Sequence, residues 1–253
     1  MAPTLRTMAP FVFVLGFWCL GYEIGGFPPQ LLPSPLAVLE AFIVQLGSQS
    51  FWIGLGVSIG RVFVGFMLSA VLAVPVGLLM TWNRGFRDSY TPLNNYIRYL
   101  PVAALVPLLI LWLGIGFANK VAVIFIGTFF QLTIMLHDNF RQVPLGYLEA
   151  ARWVGARNSL DLIWRVVLPY RLPYVMDDLK VALGWAWSYL LVAEIVAANS
   201  GVGFEIIQAQ RFLQTQKLMA LILVVGFIGV VFDWLFDRMN RTMFRWRLLE
   251  DHR

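Results

Sequence analysis

The sequence predicts an all-α, polytopic membrane protein of about six transmembrane helices. Three observations carry that prediction. The 253 residues are 59% hydrophobic and 13% charged, whereas a soluble globular domain carries about 25% charged residues. The mean hydropathy is +0.73. Apolar runs long enough to cross a bilayer recur along the chain, and in lipid such a run satisfies its backbone only as a helix. The short alternating strands of a membrane barrel are not visible in the pattern.

The apolar runs place spans at about 10–27, 56–82, 97–116, 121–138, 180–198 and 218–237. The first follows Arg6 and reads as an uncleaved helix, because Gly21-Tyr22-Glu23 is a poor signal-peptide cleavage site. It holds Cys19, the single cysteine, which excludes an internal disulfide and a cysteine metal cluster. Between spans one and two, Pro33, Ser34 and Pro35 look like a helix start. Leu36, Leu39, Phe42, Ile43 and Leu46 then repeat at helical spacing, which predicts an interfacial amphipathic helix rather than a seventh span. Span three carries Arg98, Pro101 and Pro107, the signature of a broken helix of the kind that lines transport paths; for Arg98 the simpler reading is snorkelling at the cytoplasmic edge. The chain shows no tandem repeat and reads as one membrane domain over 1–253.

Orientation follows from the basic residues. With the N-terminus inside, the inner segments hold 14 of the 19 Lys and Arg, among them Arg84, Arg87, Arg141, Arg152, Arg157, Arg165 and Arg171. The outer segments hold Lys120, Arg211 and Lys217, and Arg61 and Arg98 fall within or at the edge of spans. Both termini and residues 139–179 are thus expected in the cytoplasm. The net charge of +5 is read as this bias and not as nucleic-acid binding. The tail RMNRTMFRWR reads as an orientation signal and headgroup anchor.

One charged stretch interrupts this apolar chain: EAARWVGARNSLDLIWRVVLP, residues 149–169. Pro144 suits a first helical turn, Tyr147, Leu148, Ala151, Trp153 and Val154 form an apolar side, and Glu149 and Arg152 are spaced to pair. Gly155 suits a helix end that needs positive φ. Asn158 is placed to cap a second short helix with Asp161 reaching back, and Pro169 is expected to stop it, with Pro173 bending the chain again. The stretch therefore reads as a cytoplasmic knob, either a hairpin on the headgroups or a docking element.

Glu149-Ala150-Ala151, Gly155 and Leu168-Pro169 resemble the cytoplasmic EAA loop of permease subunits of binding-protein-dependent ABC importers. The spacing from Gly155 to Pro169 is about one residue longer than that pattern, which points to an insertion in the turn after Gly155. SIGRVFVGF at 58–66, RYLPVAALVPLLILWLGIG followed by Lys120, and GWAWSYLLVAEIVAANSGVGF resemble the subgroup carrying nitrate, sulfonates, taurine or bicarbonate. The resemblance covers about Leu55 to Trp246. It implies a type I importer permease fold whose coupling helix, with Glu149, Ala150, Ala151, Arg152 and Gly155, seats in a cleft of an ATPase subunit. It further implies a second permease copy, or a sister permease, and a periplasmic or lipid-anchored solute-binding protein. The setting would be the bacterial inner membrane, and the cargo a small oxyanion.

The chain has no Gly-x-x-x-x-Gly-Lys-Ser/Thr loop, so ATP and Mg are expected on the partner ATPase, and this chain is not expected to be an enzyme. His137 and His252 are too isolated to argue for a metal. Candidate path residues are Thr128 and Gln131 on one face of span four, Trp187 and Ser188 in span five, and the intramembrane pair of types Glu194 and Arg61. Glu194 either lines the path or is neutralised by Arg61, and Arg61 either attracts an anion or meets Glu194. An ion-coupled secondary transporter and a non-transporting scaffold are the alternatives; the first should show inverted repeats, which are not seen.

Overall fold

The structure, a computed structural model, describes residues 5–197 and 199–244, with side chains from residue 9 on. Arg245, Arg247, His252 and Arg253 of the basic tail lie outside the described residues, as does the Arg6 side chain. In chain order the helices are α1 Leu5–Ile24, α2 Pro35–Leu46, α3 Gln49–Trp82, α4 Arg84–Arg98, α5 Val102–Leu113 and α6 Phe117–Phe140. They continue with α7 Leu145–Trp153, α8 Ser159–Leu162, a π-turn Ile163–Val167, α9 Leu168–Ala197, α10 Val202–Arg211 and α11 Thr215–Met243. Among the described residues there is no strand.

Four stretches are long and apolar enough to cross a membrane: Gln49–Trp82, Phe117–Phe140, Ser159–Ala197 and Thr215–Met243. The bent pair α4 and α5 makes a fifth if it is counted as one span. The apolar part of α1, Ala9–Ile24, is shorter than these, so the first expected span is the least complete.

The chain divides into two compact units, Met1–Val57 with Ala198–Ile228 and Ser58–Ala197 with Gly229–Arg253. In the first unit, α2 starts where Pro35 sets the first turn and the Ser34 hydroxyl accepts from the Ala37 N–H at 3.2 Å. Leu36, Leu39 and Ile43 stay exposed along it. Gln45 donates to Glu205 of α10 at 2.5 Å. Residues 202–211, read from sequence as part of an outer loop, are helical; Val202, Ile206 and Ala209 are its buried side. Gly201, at φ +112, makes the turn into it.

The second unit holds the bundle core. On α3, Gly65 lies against Ile124, where a Cβ would meet its Cβ at 2.8 Å, and Gly77 lies against Leu136 at 3.1 Å. These small residues let α3 and α6 approach closely. Both numbers rise together along the contact, so α3 and α6 run parallel. α6 and α9 run antiparallel: Lys120 meets Ala197, Gly127 meets Tyr189, and Asn139 meets Asp178. The chain therefore reverses direction an even number of times between α3 and α6, so α4 and α5 together count as one return crossing.

That return is broken, as Pro101 leads one to expect, and it begins at Arg84, before the span expected at 97–116. α5 holds only 12 residues, about 18 Å, and meets α4 at 93°. Pro101, at the N-cap of α5, has no N–H to carry α4 onward.

The second departure is in the charged stretch. α8, the π-turn and α9 form one 39-residue apolar stretch instead of stopping at Pro169. An α-turn would drive the Pro169 ring into the Arg165 carbonyl. The chain widens there instead: the Leu168 N–H donates to the Ile163 carbonyl, five residues back. A π-turn holds one residue more than an α-turn, so this helix takes up one more residue of the Gly155–Pro169 segment than a regular helix would.

Candidate functional site

The knob is built from α7, the turn at Gly155 and α8. α7 has nine residues, none of them buried. Its end is a Schellman turn: the Ala156 N–H donates to the Ala151 carbonyl at 2.9 Å and the Gly155 N–H to the Arg152 carbonyl at 3.1 Å. Gly155 sits at φ +106, which a side chain resists. The chain restarts at Asn158, whose side chain accepts from the Asp161 N–H at 2.8 Å. Asp161 reaches back to the Arg157 N–H at 3.1 Å, one residue earlier than a capping box requires. The Tyr147 and Tyr170 rings, 5.0 Å apart, hold the knob to α9. Arg171, buried, then donates to Asn139 at 2.7 Å and Gln142 at 3.2 Å, fixing α9 against the end of α6.

Glu149, Ala150 and Arg152 are exposed on α7 and Ala151 is half-buried. Glu149 and Arg152 make no ion pair among the described residues, contrary to the spacing expectation, so both charges face outward. Trp153 and Val154 are 90% and 88% exposed. An apolar pair so open stands beside a charged helix with no buried residue.

At the other end of α9, Arg61 of α3 meets Glu194 at 2.6 Å, and Ser58 donates to the same carboxylate at 2.8 and 3.0 Å. Glu194 is fully buried. Lys120, also buried, donates from Nζ to the Ala197 carbonyl at the last turn of α9, where the helix dipole favours a cation. Two cations from two helices thus close on one carboxylate and one helix end. Beside Lys120, Asn119 is fully buried with both side-chain atoms lacking a partner among the described residues.

Trp187 lies two turns from Glu194 on α9, buried, its ring 5.9 Å from Phe232 of α11. It borders an apolar cleft of about 240 Å³ with Phe63, Phe66 and Phe236. Ser188 is exposed and donates to the Gly184 carbonyl of its own helix at 3.2 Å. Thr128 is buried on α6 with its hydroxyl lacking a partner among the described residues, and Gln131, one turn on, is half-buried. The structure thus joins Arg61 to Glu194 and leaves the other four path candidates distributed along α6 and α9. Lys120 was missed as a member of the cluster because its partner is a backbone carbonyl, which no side-chain pattern announces. The polar face of α4 was missed because residues 84–98 were not read as a helix.

A bundle of long apolar helices carrying an exposed charged knob defines the class, a helical membrane protein. A family model described as binding-protein-dependent transport system inner membrane component matches residues 73–245. The chain is 32% identical over 248 residues to the putative aliphatic sulfonates transport permease protein of Escherichia coli (strain K12), covering 96% of this chain and 93% of that one. It is 30% identical over 223 residues to the taurine transport system permease protein of the same organism, covering 86% and 81%. Among solved structures, the MetNI methionine ABC transporter in an inward-facing conformation matches with a TM-score of 0.70 at 19% identity, covering 76% of this chain and 95% of that chain. The chain belongs to the family of inner-membrane components of binding-protein-dependent transport systems. It is a permease subunit of an ABC importer, the subunit through which solute crosses the inner membrane.

Proposed function

We propose that this permease carries a small sulfonate-type oxyanion and is driven by a separate ATPase that grips the knob. The observation that carries the ATPase half is α7 itself, a nine-residue helix with no buried residue, ended by the Gly155 turn. Ala150 and Ala151 let a groove close tightly on it, Glu149 and Arg152 offer charge to the groove walls, and Trp153 and Val154 supply apolar area. ATP and Mg sit on the ATPase. Closure of the ATPase dimer moves two knobs, one from each of two permease copies, and turns the path from inward-facing to outward-facing. A solute-binding protein then releases its cargo from the periplasmic side, and hydrolysis resets the path. Both termini and the knob lie in the cytoplasm. The sulfonate cargo rests on what the two relatives of Escherichia coli are named for.

The test is co-expression and co-purification with a candidate ABC ATPase of the same organism, followed by ATPase stimulation with binding protein and taurine or an alkanesulfonate. Glu149→Arg is expected to lower ATPase recovery about tenfold, because a truncated or reversed contact at such an interface costs about 1.4 kcal/mol or more. Recovery unchanged by Glu149→Arg would sink the knob's assignment. Transport by the isolated chain without ATP would sink the importer mechanism.

A further inference from the structure

The helix α4 does not look like a membrane helix. Its residues Arg84, Arg87, Asp88, Thr91, Asn95 and Arg98 recur at helical spacing and form one polar stripe. None of these six is buried. Yet α4 lies at membrane depth. Asn94, buried beside the stripe, donates to the Phe130 carbonyl of α6 at 3.0 Å. Phe130 stands ten residues before the end of α6 at Phe140, which is ~15 Å along a helix ~36 Å long. The hydrocarbon layer is about 30 Å thick, so Asn94 and Asn95 sit well inside it. An exposed polar stripe at that depth is costly in lipid and is expected to face water.

The stripe does border a cleft. About 510 Å³ lies between α4 and α6, with Arg87, Asp88, Thr91 and Asn95 on one wall and His137, Asp138 and Arg141 on the other. On the α6 wall, Asp138 and Arg141 offset each other, and the His137 Nδ1 is 3.0 Å from the Thr81 hydroxyl. On the α4 wall, the Arg87 Nε lies 3.1 Å from the carboxylate of Asp88, and Arg84 and Arg98 continue the same stripe beyond the residues that line the cleft. The arginines stand at both ends of the stripe, and between them Thr91 and Asn95 offer a hydroxyl and an amide. Donors spaced along a basic wall suit an anion with several acceptor oxygens. Arg98, at the deep end, stacks on the Tyr99 ring at 5.0 Å, which holds its charge at the turn into α5.

We infer that the cleft between α4 and α6 is a water-filled inner leg of the translocation path, and that its arginine stripe guides a sulfonate-bearing anion toward the cytoplasm. The inference rests on the permease assignment and deepens it, naming where the cargo leaves. The stripe's three arginines against one carboxylate draw anions toward the leg, and none of its six residues is buried, which keeps that charge in contact with water.

The test is cysteine accessibility in the assembled transporter. Cys19→Ser removes the single native thiol. Thr91→Cys and Asn95→Cys probe the stripe, and Leu93→Cys, 53% exposed on another side of α4, is the control. Inside-out vesicles are treated with 2-sulfonatoethyl methanethiosulfonate or with its trimethylammonium analogue. Both stripe positions are expected to react about tenfold faster than Leu93→Cys, and the sulfonate reagent is expected to be favoured over the cationic one by a further margin of about tenfold from charge focusing in a cleft. Arg98→Gln and Arg87→Gln should each shrink that preference. Equal slow reaction at all three positions overturns the inference, as does preference for the cationic reagent or reaction only in right-side-out vesicles. Each variant is first checked for ATPase co-purification, and Asp88→Cys replaces one that does not assemble. The labelling needs neither nucleotide nor transport, so failure of the importer assignment shows in the pull-down and failure of the cleft shows here.

Discussion

Glu194 is a carboxylate with no exposed surface, inside a membrane span. Its charge is met at 2.6 Å by Arg61 and shared with the Ser58 hydroxyl. Breaking a buried pair by removing one member leaves the other uncompensated, which costs about 3–5 kcal/mol, whereas replacing both with apolar residues is often close to neutral. Glu194→Ala is therefore expected to lower the melting temperature of the detergent-purified transporter strongly, and Arg61→Met combined with Glu194→Met to recover most of the loss. Thermal light scattering reads both; a Glu194→Ala protein as stable as the parent would show that the pair carries no such role. At this scale the sequence reached part of the answer. Two opposite charges in apolar runs are visible, and charge cost alone suggests that they meet. Lys120 was out of reach because it binds a backbone carbonyl at the end of α9, and that requires knowing where α9 ends.

At the scale of the element, the Gly155 turn was legible and the helix after it was not. A glycine after an Ala-rich helix signals a left-handed end, and φ is +106 there. No atom lies within 4 Å of a Cβ built on Gly155, so the obstacle to a side chain is the backbone conformation and not space. Gly155→Val is expected to cost about 1–3 kcal/mol locally and to displace the end of α7. Because α7 has no buried residue, the cost should fall on the knob and spare the bundle. The measurable outcome is a permease present at normal levels in the membrane but recovering several-fold less ATPase, with Gly146→Ala, whose Cβ also meets nothing, as the control. Normal recovery with Gly155→Val would refute the argument. Pro169 misled because a proline ordinarily ends a helix, and a widened turn is the less common escape. α4 stayed hidden for a related reason. Its charges fit a loop as well as a helix until the stripe is counted at 3.6 residues per turn.

For the whole molecule, two independent arguments bear on orientation. Basic residues crowd the segments 83–96 and 139–179, which places those segments on one side. The contacts of the bundle require the same: α3 and α6 run parallel and α6 and α9 antiparallel, so the ends of α3 and α6 and the start of α9 share a side. Arg171, buried between α9 and the end of α6, ties that side together. The count of basic residues gives the sign that packing alone cannot, because parallel helices are parallel whichever way the bundle is inserted. Moving the knob to the outer side would carry Arg141, Arg152, Arg157, Arg165 and Arg171 across the bilayer against the bias that sets insertion. Alkaline phosphatase joined after Ala156 is therefore expected to be inactive, and joined after Arg211 to be active, with green fluorescent protein giving the opposite pattern at the same two sites. Phosphatase activity at Ala156 would invert the molecule. It would remove the knob from any ATPase and place the arginine stripe of α4 at the periplasmic mouth.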